Sequence, residues 1–141
     1  MSRKLIYVSG LLTCYRCHMD FTPEGRMAIF GDSKRHKEIV EHIEAMVRET
    51  PLEIVAGVLL RFPHLNEAAR KILGSYDEFL GLLEDEKCRL HLDGLIENEA
   101  DEDETYQRAR RLSHAFRDGL LDVFFDRESG LDVLTRNYGV F

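Results

Sequence analysis

The 141 residues predict a mainly α fold of the α+β kind, a bundle of about five helices with an N-terminal β-hairpin that carries a Cys-x-x-Cys loop. Three observations lead there. Residues 4–8 (Lys-Leu-Ile-Tyr-Val) and 26–30 (Arg-Met-Ala-Ile-Phe) are short β-branched and aromatic runs bounded by Ser9-Gly10, Glu24-Gly25 and Gly31-Asp32, a pattern that suits paired strands. From Asp32 onward the apolar residues recur at helical spacing. Capping residues then divide that region into separate helices.

The elements follow in order. Asp32 or Ser33 caps an amphipathic helix whose apolar positions are Ile39, Val40, Ile43, Met46 and Val47, with Lys34, Arg35, Lys37, Glu41 and Glu44 on the wet side. Thr50, Pro51 and Glu53 form a capping box with proline at the first helical position. The helix they open carries Leu52, Ile54, Val55, Val58, Leu59, Leu60 and Phe62, apolar nearly all round, and stops before Pro63, so it is expected at the centre of the core. Asn66 caps a short helix over 67–73 that Gly74 ends. Ser75 and Glu78 open another, which runs to about Leu92 and stops at Asp93-Gly94. The acidic stretch 97–104 leads into a long helix from Asp101 to about Phe125, striped by Ala109, Leu112, Phe116, Leu120, Val123 and Phe124. Gly130 ends that region. The apolar tail 131–141 holds one helical turn and docks on the bundle or on a second subunit.

Length within the usual range for one domain predicts a single domain over 1–141, with a hairpin and metal loop at 1–31 appended to a helical bundle at 32–141. Apolar residues make up 44% and charged residues 32% of the chain, the balance of a globular protein. No apolar run approaches the roughly 20 residues of a membrane span, and the basic start followed by four apolar residues lacks the roughly 7–15-residue core of a signal peptide. A cytoplasmic protein is expected. A net charge of −7 disfavours binding to nucleic acid, where phosphate neutralisation supplies most of the affinity. The acidic stretch precedes Arg108, Arg110 and Arg111, as in a helix with its dipole complemented.

Chemistry concentrates in Cys14-Tyr-Arg-Cys-His18 and in Cys88-Arg-Leu-His91, which together use all three cysteines. Cys-x2-Cys on a turn aims two sulfurs at one tetrahedral centre, and Cys88 and His91, three apart on a helix, reach a common point. The expected site is therefore a Cys3His zinc ion held by Cys14, Cys17, Cys88 and His91, with His18 as rival fourth ligand, pinning the N-terminal loop to the helix 75–92. Such a zinc is structural, and the protein carrying it reads as a small adaptor or regulator that works through a protein partner, with self-association through the apolar tail as a further expectation. The competing reading of Cys14 and Cys17 is as small buried hydrophobes.

Two resemblances give other readings. Cys14-Tyr-Arg-Cys17-His18 is similar to the c-type haem attachment motif, which would imply thioethers at both cysteines and His18 as axial ligand. A thioredoxin-like pair needs a βαβ context that the break at residues 22–25 denies. Arg108 and His114 enclose five residues, which resembles the Arg-x4-6-His motif of HEPN-type helical ribonucleases. That likeness would imply His114 as acid/base and Arg108 as the phosphate-binding group, although Ala109 stands where the family usually has a polar residue. Elsewhere, Glu38 with His42 and His64 with Glu67 read as solvated pairs.

Overall fold

A computed structural model describes residues 1–31 and 36–139. Among these residues there are eight α-helices, two short 3-10 turns and no strand. The helices are α1 (Ser2–Met19), α2 (Pro23–Phe30), α3 (His36–Val47), α4 (Pro51–Leu59), α5 (Asn66–Glu84), α6 (Glu86–Gly94), α7 (Glu104–Phe124) and α8 (Leu131–Tyr138). The 3-10 turns are Pro63–Leu65 and Glu97–Glu99. The proposed cap at Asp32 or Ser33 and the last two apolar residues, Val140 and Phe141, lie outside the described residues.

The expected N-terminal β-hairpin is absent: both of its strands are helical. Leu5, Val8, Leu12 and Tyr15 are all buried, and their spacing of three, four and three residues is the helical period, which outweighs the β-branched character of a five-residue run. Ser9-Gly10 does not turn the chain. Ser9 Oγ donates to the Ile6 carbonyl at 2.8 Å and Thr13 Oγ1 to the Ser9 carbonyl at 2.9 Å, so the polar residues satisfy themselves on the helix backbone. Thr22 N-caps α2 by accepting from the Gly25 N–H at 3.1 Å, with Pro23 at the first helical position. What reads as a chain break before a strand is thus a helix start.

The chain divides into two compact units, one of His64–Asp126 together with Met1, the other of Ser2–Pro63 and Arg127–Phe141. In the second unit α1 packs on α4 and α3. The capping box expected on α4 is formed, with Thr50 and Glu53 bonded to each other's backbone N–H, and Ile54, Val55, Val58 and Leu59 are buried. The apolar side of α3 is covered only in part: Met46 is buried, while Val40, Ile43 and Val47 stay exposed. Gly130, with φ of 75°, adopts the left-handed conformation that glycine takes without strain, and α8 then buries Leu131, Leu134 and Thr135. It runs for eight residues, more than the single turn expected.

In the 64–126 unit α5 lies against α7. α5 is one helix of 19 residues, so the expected break at Gly74-Ser75 does not occur. Ser75 is buried and its hydroxyl bonds back to the Lys71 and Ile72 carbonyls, a helix-interior use of a residue that could equally cap. The break falls instead at Asp85, which accepts from the Lys87 and Cys88 N–H groups and opens α6. On α7 the predicted stripe is buried at Phe116, Leu120, Val123 and Phe124, and the Tyr76 and Phe116 rings meet at 6.0 Å. His64 and Asp126, the first and last residues of this segment, are joined at 2.9 Å.

Candidate functional site

Because α1 is a helix, Leu11, Cys14 and His18 fall on one of its faces, with Tyr15 and Cys17 at its edges. Together with Leu134 and Tyr138 of α8 and Arg26 of α2, they bound a cavity of about 650 Å³ in the unit formed by residues 2–63 and 127–141. Cys14 is exposed and Cys17 half-buried, and both are free thiols. Burial pushes the Cys17 thiol above its ordinary value, and the neighbouring Cys14 and Asp20 push the same way. The negative end of the α1 dipole acts in that sense too.

Two other polar side chains of the wall, Arg26 and Tyr15, are already engaged. Arg26 Nη1 donates to the carbonyls of His18 at 2.7 Å and Phe21 at 2.8 Å, closing the end of α1 with a side chain from the next helix. His18 is exposed, yet partial desolvation and then the Arg26 charge hold its imidazole below its usual range, so it is neutral at neutral pH. Tyr15 is buried with its hydroxyl 3.5 Å from Thr135 Oγ1, and desolvation raises its pKa. The result is an apolar cavity edged by two thiols and a neutral imidazole.

The same end of α1 also carries a charged network whose members show no local signal in sequence. Asp20 takes Arg61 Nη1 at 2.5 Å and stands 3.4 Å from His42 Nε2, while Arg16 Nη1 reaches Glu49 at 2.9 Å. The His42 ring meets Phe21 edge-on at 4.9 Å. These pairs tie the end of α1 to α3 and to the residues flanking α4.

The remaining residues singled out by the sequence belong to the 64–126 unit. Cys88 sits at the start of α6, its thiol raised by desolvation and then by Asp85, with Arg108 acting in the opposite sense. His91 Nε2 is 2.6 Å from Asp103 Oδ2, and Asp103 also N-caps α7 through the Tyr106 N–H, so this imidazole braces a helix start. Cys14 and Cys17 thus belong to one unit and Cys88 and His91 to the other. Among the described residues no group of three or more histidine, cysteine, aspartate or glutamate side chains is arranged to hold a metal ion. The turn that was to aim two sulfurs at one centre is helix, and the imidazole that was to complete the set is held by a carboxylate.

Arg108 borders a second cavity of about 580 Å³ with Cys88, Arg111, Glu102 and Glu104, and its guanidinium lies 3.6 Å from Glu78. His114 is exposed and is not part of that wall. Six residues along an α-helix set two side chains roughly 120° apart, so α7 directs Arg108 and His114 to different sides.

No described helix is long and apolar enough to cross a membrane. No family model, curated protein or solved structure matches the chain, so the 650 Å³ cavity, argued from its own walls, carries the functional reading.

Proposed function

We propose that this protein is a regulatory binding protein that takes a small, uncharged, mainly apolar molecule in the cavity between α1, α2 and α8. The observation that carries this reading is the cavity itself. Its volume of about 650 Å³ lies within the range of roughly 300–1,000 Å³ typical of small-molecule sites, and an apolar wall with few polar groups is their usual character. Leu11, Leu134 and the two tyrosine rings supply apolar contact, and Cys14, Cys17 and His18 supply polarity at one edge. A neutral ligand is favoured because His18 is uncharged at neutral pH and the charge of Arg26 is directed at backbone carbonyls. The second cavity, with two glutamates and two arginines in its wall, would place an apolar molecule against charges that prefer water.

The test uses N-phenyl-1-naphthylamine, an uncharged apolar fluorophore, titrated into the full chain. Saturable enhancement with one site per chain is expected, and Leu11→Trp, which fills the half-buried wall with an indole, weakens it at least tenfold. Unsaturable enhancement, or binding unchanged in Leu11→Trp, would overturn the reading. Thermal unfolding of the variant checks that the fold is kept.

A further inference from the structure

We infer that Cys14 and Cys17 form a reversible thiol–disulfide couple on the wall of this cavity, oxidised by exchange with a low-molecular-weight disulfide. The two residues are three apart on α1, both are free thiols, and both face the same cavity. Neighbours at that helical spacing have Cβ atoms roughly 5–6 Å apart, and a disulfide needs roughly 3.5–4.5 Å. The bond therefore requires only a short local closing of the backbone.

The position within α1 supplies that movement. α1 ends at Met19, two residues beyond Cys17 and five beyond Cys14, so the closing involves the last turn and a half of the helix, at the end where intrahelical partners run out. This turn is held by the Asp20 N–H bond to the Arg16 carbonyl at 2.8 Å, by the flexible side chain of Arg26 on the His18 carbonyl, and by the side-chain ion pairs of Arg16 with Glu49 and of Asp20 with Arg61. A guanidinium can follow its acceptor as the turn tightens. Cysteines in the middle of a long helix, gripped by carbonyls on both sides, lack this freedom.

Exposure assigns the roles. Cys14 is exposed and meets the external disulfide first, whereas Cys17 is half-buried and resolves the intermediate. The Cys14 thiolate attacks one sulfur of oxidised glutathione, forming a mixed disulfide and expelling one glutathione thiolate. The Cys17 thiolate then attacks the Cys14 sulfur, closing the protein disulfide and expelling the second. The two protons leaving the cysteines protonate the two departing thiolates, so the protein loses two electrons and two protons and one glutathione disulfide becomes two thiols. Burial raises the Cys17 thiol, which lowers its thiolate fraction and slows the second step near neutral pH. The same effect disfavours Cys17 as a leaving thiolate, so the closed disulfide resists reduction.

The experiment uses full-length Cys88→Ser protein, reduced, exposed to oxidised glutathione, quenched with an alkylating agent and read by mass spectrometry. The expected product has lost two hydrogens, carries no glutathione, and yields a linked peptide containing both Cys14 and Cys17. Cys17→Ser in the same background stops at one glutathione on Cys14. Closure accelerates roughly tenfold per pH unit below the Cys17 pKa, following the thiolate fraction. Persistence of glutathionylated Cys14 with Cys17 unmodified in the Cys88→Ser protein, or a disulfide joining two chains, would overturn the inference. The inference rests on α1 and not on the apolar-ligand reading, and the two fail separately. Protein that closes the disulfide without taking up the fluorophore keeps the redox couple and loses the ligand. Protein that takes up the fluorophore but stays glutathionylated at Cys14 does the reverse.

Discussion

His18 combines an apolar cavity wall, a helix end and a nearby guanidinium, and its titration reports on all three. Its pKa is lowered first by partial desolvation at the wall and then by Arg26. With the folded-state value below the unfolded one, the unfolded chain binds the extra proton first as pH falls. The stability linked to this residue is therefore present above about pH 6.5 and is lost as pH drops toward the depressed value. Protonation also places a charge at the edge of the cavity, so fluorophore affinity is expected to fall over the same interval. Proton NMR of the imidazole should place its midpoint below 6.5, and Arg26→Gln should raise it; an unmoved midpoint in that variant would leave desolvation as the whole cause. How much of this site the sequence revealed depends on one decision about local structure. Cys14, Cys17 and His18 stand out by residue type alone, but Leu11 joins them only once 2–19 is read as helix. The contributions of Leu134 and Tyr138 carry no local signal, because their proximity comes from tertiary packing of α8. Asp20 and His42, likewise, are ordinary surface letters until α1 and α3 are placed side by side.

At the scale of elements, helix starts were the most legible feature and short apolar runs the least. Thr50-Pro51 and Thr22-Pro23 are the same signal, a side-chain cap followed by proline. Only the first is followed by enough helical periodicity to declare itself, since α2 has eight residues and buries Ile29 alone among its described side chains. In α5 the reverse occurs: Ser75 has the letters of a cap but uses them inside the helix. The contact of α5 with α7 turns on Gly119. A Cβ there would stand 2.8 Å from Ile72 Cγ1 and 3.1 Å from the Ala68 carbonyl oxygen. Ile72 is fully buried and a backbone oxygen yields little, so neither gives way cheaply. Gly119→Ala is expected to destabilise by roughly 1–2 kcal/mol, overpacking outweighing the gain in helix propensity. Gly81→Ala on α5, where a Cβ meets nothing within 4 Å, should instead stabilise by up to about 1 kcal/mol. Urea denaturation of the two variants reads both signs, and equal shifts would contradict the close approach.

For the whole molecule, the governing fact is that one unit is, apart from Met1, a single stretch of sequence and the other is assembled from two long ones. Nothing in composition or periodicity marks this, because the residues around Pro63 and Arg127 read as ordinary helix punctuation. The discontinuous unit depends on α8 returning to it, and Leu131, with no exposed surface, anchors that return. Leu131→Ala is expected to cost about 2–5 kcal/mol in denaturant unfolding, the range for a buried leucine whose cavity does not collapse. A cost below 1 kcal/mol would mean that α8 contributes little. Tyr15 and Thr135 meet across 120 residues, a closure whose entropy would ordinarily slow folding. Yet His64 and Asp126 already touch at 2.9 Å. Once residues 64–126 have folded, the segment between α4 and α8 no longer behaves as a long random loop but as a short bridge with its ends held together. During synthesis that segment is complete before α8 is made, so the last helix comes home to a target whose distance along the chain has, in effect, already been shortened.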